Sequence, residues 1–315
     1  MAAGAVDGVE IAAVYSRNAA TAEHFAAKHG IPSCYTDYTE MLLSDINAVY
    51  IASPIFMHLS QAEEAIARGK HVLCEKMMTA DYHSAMKLSR LASGRVTLLE
   101  AMRPDFDPAF SLIREWLPAI GRVCRAEFEF CQYSSRYDRF KEGEVLNAFD
   151  PRIGNSALSD IGIYPLHMLI SLFGAPEAVN ARATLLQNGF EGEGELSLSY
   201  PHMTASAVYS KIRGSERPSV IYGERGEIGV DKISAPTRVW LRTNDGRTVK
   251  DVALPTSDTP GYNMRYEIAA FAEMVEGRID NAPYLYATLE SIRIVDLAYR
   301  QTGAYRFMTE IEAYK

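Results

Sequence analysis

Two neighbouring stretches, Ala48-Val49-Tyr50-Ile51-Ala52-Ser53-Pro54 and Gly69-Lys70-His71-Val72-Leu73-Cys74-Glu75-Lys76, decide how this chain is read. Each is a short apolar run rich in residues that favour a pleated surface, and Leu59 to Arg68 between them carries helical spacing. The unit is therefore strand, helix, strand. In an open parallel sheet, ligands sit beyond the carboxyl ends of the strands, so Ser53, Pro54, Glu75 and Lys76 are the side chains offered to one. A lysine closing an apolar strand is a candidate catalytic group.

Outward from this unit the alternation continues. Ile11 to Tyr15 and Val96 to Glu100 read as strands, and Ala19 to His29 and Tyr82 to Ala92 as helices. Such alternation predicts βαβ units and a Rossmann-like parallel sheet over residues 1–104. From residue 105 the pattern changes to long strands of alternating polarity: Val123 to Tyr133, Ala178 to Leu186, Glu195 to Tyr200, Thr204 to Ile212, Arg238 to Thr243 and Thr248 to Leu254. Helices are expected at Pro108 to Leu117, Ala157 to Phe173, Tyr266 to Glu276 and Leu285 to Gln301. Asn244-Asp245-Gly246 marks a hairpin, because Asp-Gly tolerates the positive φ of a tight turn. The expected class is α/β, with a second α+β domain over 105–315 built on a large, mostly antiparallel open sheet.

A length of 315 residues suits two domains. The 32 basic residues are outnumbered by 40 acidic ones without a basic run, giving a net charge of -8, which argues against nucleic acid as a partner. Cys34, Cys74, Cys124 and Cys131 lack ligand or redox-motif spacing and read as isolated buried thiols. With scattered histidines, no metal site is expected. No apolar run reaches the ~18 residues of a membrane span, and the expected location is the cytoplasm.

A dinucleotide-binding fold ordinarily opens with a strand, a G-x-G-x-x-G turn and a helix whose N-terminus holds the pyrophosphate. That turn is not found here. Met1 to Glu10 read as the last turn of such a helix and its loop, so the sheet's central strand is expected to be absent between the strands at Ile11 and Ala48. The expectation is either that the true start lies upstream of Met1 or that the chain binds cofactor weakly. After Tyr15, where an NAD-specific fold places an acidic residue, stand Ser16 and Arg17, a hydroxyl and a cation suited to a 2′-phosphate. NADP is expected over NAD, the alternative reading of Arg17 being a solvated loop residue.

In the helix from Ala157 to Phe173, Asp160, Tyr164, His167 and Ser171 fall in one stripe roughly 60° wide. The rest of that helix is apolar, so the line is expected to serve chemistry or a structural hydrogen-bond network. Ser134 to Asp138, including Arg136 and Tyr137, is a polar cluster suited either to substrate hydroxyls or to a plain turn. Arg265-Tyr266-Glu267, and the carboxylate pairs Glu63-Glu64 and Asp105/Asp107, read as surface charges.

Taken together, Ala13-Val14-Tyr15-Ser16-Arg17, the Ala48 to Pro54 run with His58, Gly69 to Lys76, Glu100-Ala101-Met102, and Ala157 to Tyr164 with Leu172-Phe173-Gly174 resemble the Gfo/Idh/MocA oxidoreductases. That family is named from glucose-fructose oxidoreductase, inositol dehydrogenase and the rhizopine catabolism protein. The resemblance implies hydride transfer between NAD(P) and a sugar, polyol or cyclic diol, and a homodimer or homotetramer joined through the second-domain sheet. It implies further that Lys76 touches nicotinamide ribose and substrate, and that Asp160 and Tyr164 are the aspartate and acid/base residue, the tyrosine being similar to the dihydrodiol and NADP-xylose dehydrogenase branch. Met77 stands where the family has proline, and Asn155-Ser156 where glycines are common. Lys76 is expected to lower the phenol pKa of Tyr164, Asp160 to orient substrate or hold Lys76, His58 to contact the nicotinamide side, and His167 to serve as a further donor or to be structural. The competing reading is a noncatalytic sugar- or dinucleotide-binding regulator, a truncated inactive homologue.

Overall fold

The structure, a computed structural model, describes residues 3–257 and 261–304. The first half alternates as the pattern predicts: β1 (Ala13–Tyr15), α1 (Ala19–His29), β2 (Ser33–Tyr35), α2 (Tyr38–Leu43), β3 (Ala48–Ile51), α3 (Ile55–Ala67), β4 (His71–Glu75), α4 (Tyr82–Ala92) and β5 (Leu98–Ala101). Local chemistry sets the helix ends. The Asn18 side chain accepts from the Thr21 N–H at the start of α1, and Gly30 closes it at φ 67°, a conformation that costs glycine least. Asp37 and Asp81 cap α2 and α4 in the same way.

These strands form two parallel sheets, β1 with β2 and β3-β4-β5 in that order, and β1 and β3 are not paired with each other. The separation agrees with the expectation for the strands at Ile11 and Ala48. The strand β2 and the short helix α2 carry too few periodic residues for the pattern to reveal them.

The second half opens with a 3₁₀ turn at Arg103–Phe106, then α5 (Pro108–Trp116), β6 (Val123–Cys131), α6 (Tyr137–Lys141), α7 (Ile163–Phe173), β7 (Ala178–Leu185), β8 (Glu191–Ser199) and β9 (Thr204–Ser210). It closes with β10 (Ser219–Gly223), β11 (Gly226–Val230), β12 (Arg238–Thr243), β13 (Thr248–Ala253), α8 (Met264–Val275) and α9 (Ala282–Thr302). One eight-stranded sheet results, in the order β13-β12-β11-β10-β6-β9-β8-β7. Only β6 and β9 are parallel within it. The strands β10 and β11, glycine-interrupted and short, are absent from the sequence reading. The β12–β13 hairpin turns at Gly246 with φ 83°, as Asp-Gly predicts.

The main core lies between the large sheet and the helices α5, α7 and α9, with Phe110, Phe128, Leu166, Leu196, Ile221 and Val295 buried. Helix α8 covers one face of β3-β4-β5 through Leu73, Leu99, Phe271 and Met274, while α3 and α4 cover the other. Two surface expectations are corrected. Asp105 and Asp107 are buried, one in a polar cluster and the other capping α5 through the Ala109 N–H. Cys34 and Cys124 are exposed, whereas Cys74 and Cys131 are buried.

Candidate active site

The helix expected from Ala157 opens as a π-turn, Leu158–Gly162, before regular α7 begins. Pro165 has no N–H to give to the carbonyl four residues back, which favours irregular winding at this point. Gly162 makes the turn fit: a Cβ there would lie 2.6 Å from Cγ of Tyr209, whose ring packs on the turn. The Tyr209 hydroxyl donates to Glu191 Oε1 at 2.6 Å, and Glu191 Oε2 accepts the Leu158 N–H at 3.3 Å. Asp160 thus rides on a turn held from beneath by a buried carboxyl and a buried tyrosine.

Lys76, at the end of β4, reaches across to that turn. Its Nζ donates to Asp160 Oδ1 at 2.8 Å and to the Asp160 carbonyl at 2.6 Å. The same carboxylate is met from the opposite half by Lys211, which follows β9 and donates to Oδ2 at 2.7 Å and to the Ala148 carbonyl at 2.8 Å. Burial alone would raise the Asp160 pKa, but the two ammonium groups overcome it and hold the carboxyl well below the usual range. Asp160 is consequently a fixed anion and a poor proton acceptor. Burial also opposes the Lys76 ammonium, yet Asp160 keeps its pKa above the ordinary lysine value. For Lys211, burial together with the neighbouring charges of Lys76 and Arg136 outweighs Asp160, and its pKa falls.

Tyr164 is buried, with the Lys76 Nζ 5.4 Å and the Arg103 Cζ 5.5 Å from its ring centroid. The ammonium thus lies over the face of the Tyr164 ring. The pKa expectation is corrected: burial raises the phenol above 10, and Lys76 and Arg103 offset only part of that. His58 is also buried, its Nδ1 2.9 Å from the Met77 carbonyl and its Nε2 2.7 Å from the Ser53 carbonyl. It ties the loop after β3 to the loop after β4. Burial pulls its pKa down against the pull of these carbonyls.

A cavity of about 260 Å³ is lined by Ser53, Pro54, Ile55, His58, Glu75, Lys76, Ile153, Asn155 and Asp160. It opens at the carboxyl ends of β3 and β4, the position where parallel sheets take ligands. Ser16 and the exposed Arg17 follow β1, also at a strand's carboxyl end. Hydroxyl and ammonium donors with carboxylate acceptors around a strand-end cavity suit a nicotinamide riboside, and an exposed guanidinium suits a phosphate.

The remaining expected residues lie elsewhere. His167 is wholly buried, its Nε2 2.6 Å from Asp105 Oδ2, and Ser171 and Arg114 bind the same carboxylate. Burial opposes protonation of His167, but Asp105 prevails and raises its pKa. The polar stripe thus divides: Asp160 lines the cavity and Tyr164 lies under the Lys76 ammonium, while the buried Asp105 draws His167 and Ser171 into a structural network. Arg136 precedes α6 on the surface, although its charge is felt by Lys211. Tyr137 stacks on Phe140 and Phe149. Glu267 is a further correction: it is buried, with burial and the nearby Glu75 pushing its pKa up to about 8. Lys211, Arg103 and Glu267 escaped the sequence reading as site residues, since each sits on an element distant in the chain from Lys76.

A Rossmann-like half and an open-sheet half meeting at a lysine, an aspartate and a tyrosine define a nicotinamide-dependent oxidoreductase. Residues 2–99 match the oxidoreductase family with an NAD-binding Rossmann fold, and residues 113–229 match the GFO/IDH/MocA C-terminal domain. The chain belongs to the Gfo/Idh/MocA oxidoreductase family. It is 39% identical over 302 residues to scyllo-inositol 2-dehydrogenase (NADP(+)) IolU of Bacillus subtilis, covering 95% of this chain and 91% of that one. It is 31% identical over 240 residues to mouse trans-1,2-dihydrobenzene-1,2-diol dehydrogenase, covering 73% and 69%. In fold it is similar to KijD10, a 3-ketoreductase from Actinomadura kijaniata solved with NADP and TDP-benzene, with a TM-score of 0.81, 22% identity and coverage of 96% and 92%.

Proposed function

We propose that this protein oxidises a secondary alcohol of a polyol, sugar or cyclic diol with NADP, or performs the reverse reduction, using Tyr164 as acid/base and Lys76 as the cation that steadies it. The observation that carries this reading is that Lys76, which lines the strand-end cavity and is held by Asp160, also lies 5.4 Å over the Tyr164 ring. When bound, the nicotinamide supplies the hydride acceptor or donor. Tyr164, as the phenolate that the Lys76 ammonium favours, takes the hydroxyl proton as hydride leaves the carbinol carbon for the nicotinamide, and is left as the neutral phenol. In reduction the same phenol returns the proton to the developing alkoxide. Asp160, kept ionised by two lysines, orients Lys76.

Lys76, Ser53, Pro54, His58 and Glu75 would hold the nicotinamide end and Ser16 with Arg17 the 2′-phosphate. The substrate class rests on the inositol and diol dehydrogenases to which the chain is similar. The proposal divides the chain into a cofactor domain over 1–104 and a substrate domain over 105–315. Pairing through the open sheet, and a cytoplasmic setting for four thiols free of disulfides, complete it. Among the described residues no helix is long and apolar enough to cross a membrane.

The test is NADP-dependent oxidation of scyllo-inositol and of cyclic diols by the wild type, Lys76→Met and Tyr164→Phe. Losses of about 10²-fold or more in turnover, with retained fold, are expected for each variant. Near-normal turnover in both would discard the assignment.

A further inference from the structure

Two buried polar atoms beside Tyr164 have no hydrogen-bond partner among the described residues: Nε of Arg103 and Oε2 of Glu267. They come from different elements, the 3₁₀ turn Arg103–Phe106 and the first turn of α8, which pack against each other. Glu267 is only 1% exposed. An unmet buried donor or acceptor costs about 1–3 kcal/mol, so two such groups of opposite character beside one phenol call for an occupant. Both side chains act electrostatically on Tyr164, and Arg103 acts on Glu267. Neither has a part in the proton transfer described above.

We propose that Arg103 and Glu267 form a hydroxyl-binding pair that makes the site selective for a carbinol flanked by a second hydroxyl. A hydroxyl is the smallest substituent that accepts from a guanidinium N–H and at the same time exchanges a hydrogen bond with a carboxyl oxygen. With its pKa pushed up to about 8, the carboxyl of Glu267 carries its proton at neutral pH, so it binds a neutral hydroxyl without adding a second charge beside Arg103. The guanidinium lies 5.5 Å and the Lys76 ammonium 5.4 Å from the centroid of the Tyr164 ring, and the element that carries Arg103 packs on the helix that carries Glu267. This deepens the proposed function and rests on it. A simple alcohol would leave both groups unpaired and be oxidised less well.

The experiment compares trans-cyclohexane-1,2-diol with cyclohexanol as substrates of the NADP-saturated enzyme. Arg103→Met and Glu267→Leu should each lower kcat/KM for the diol by about 10-fold or more beyond whatever loss they cause on cyclohexanol, so that the diol preference collapses. An unchanged preference in both variants would overturn the inference and assign the pair to a bound water. Equal losses on both substrates would overturn it in favour of a packing role. If the wild type oxidises neither alcohol, the proposed function itself fails. The pair is then judged by calorimetric titration of scyllo-inositol into the NADP-loaded chain, where equal affinity of the wild type and Arg103→Met rejects it.

Discussion

Lys211 and Asp160, fifty-one residues apart, are joined by a 2.7 Å bond to the one carboxylate oxygen that Lys76 does not use. One anion is thereby shared by two lysines from different halves of the protein. Lys211 is in turn anchored to the Ala148 carbonyl and lies over the rings of Phe149 and Phe190. Its removal should free Asp160 to rotate and leave Lys76 poorly placed. Lys211→Met is expected to lose about 10-fold in kcat, and to lose nothing further in an Asp160→Asn background, because groups acting through one partner are not additive. Steady-state kinetics of the four proteins in this cycle check it, and independent losses would refute the coupling.

The phenol of Tyr164 is held above its ordinary pKa by burial. Oxidation needs the phenolate, so the oxidative rate should climb from about pH 7 to about pH 9 rather than level off. Tyr164→Phe should flatten that rise. A plateau in the wild type near neutrality would show that another group titrates.

Two buried carboxyls make stability depend on pH. Burial pushes Glu191 up to about 7 and Glu267 up to about 8, from an ordinary 4.5. A raised carboxyl pKa means that the folded state holds its proton more tightly than the unfolded chain. The stabilisation is therefore complete below about pH 4.5 and is lost as pH rises through 7 and 8. Thermal midpoints should fall across this window in the wild type, and less so in Glu191→Gln and Glu267→Gln. Identical slopes in all three proteins would contradict the assignment.

Gly162 is required by contact rather than by backbone conformation. An added Cβ would sit 2.6 Å from Tyr209 Cγ, so Gly162→Ala should cost about 1–3 kcal/mol and disturb the turn that carries Asp160. Denaturant unfolding gives the loss. Pairing it with Tyr209→Val should recover part of it, and absence of recovery would place the strain elsewhere.

Arg17 is exposed after β1 and is the proposed contact of the 2′-phosphate. Arg17→Glu should weaken NADPH at least about 10-fold and NADH little, since only the former brings an anion to that point. Fluorescence titration with both reduced cofactors decides, and equal effects would remove Arg17 from the cofactor site.

Alternating apolar runs were enough to read the parallel first half, the Asp-Gly hairpin between β12 and β13, and Lys76 at a strand's end, because periodicity and turn chemistry are local properties of the chain. The family was legible through the motifs around Lys76 and Asp160. Spacing along an ideal helix was a poorer guide. It assigned His167 and Ser171 to the same line as Tyr164, whereas the buried Asp105, from an element distant in the sequence, draws them into a separate network.

Composition and local pattern thus determined the longer elements and the side chains that end them, whereas β2, α2, β10 and β11 were too short or glycine-interrupted to be read. What pairs with those side chains was decided in three dimensions: Lys211 on Asp160, Arg103 over Tyr164, Glu191 under the π-turn and Glu267 buried on α8. Burial turned carboxyls that read as surface charges into proton-holding groups, and opposite charges from distant strands turned Asp160 into a permanent anion. Desolvation and Coulomb attraction depend on distance and dielectric, and neither quantity is written along a linear chain.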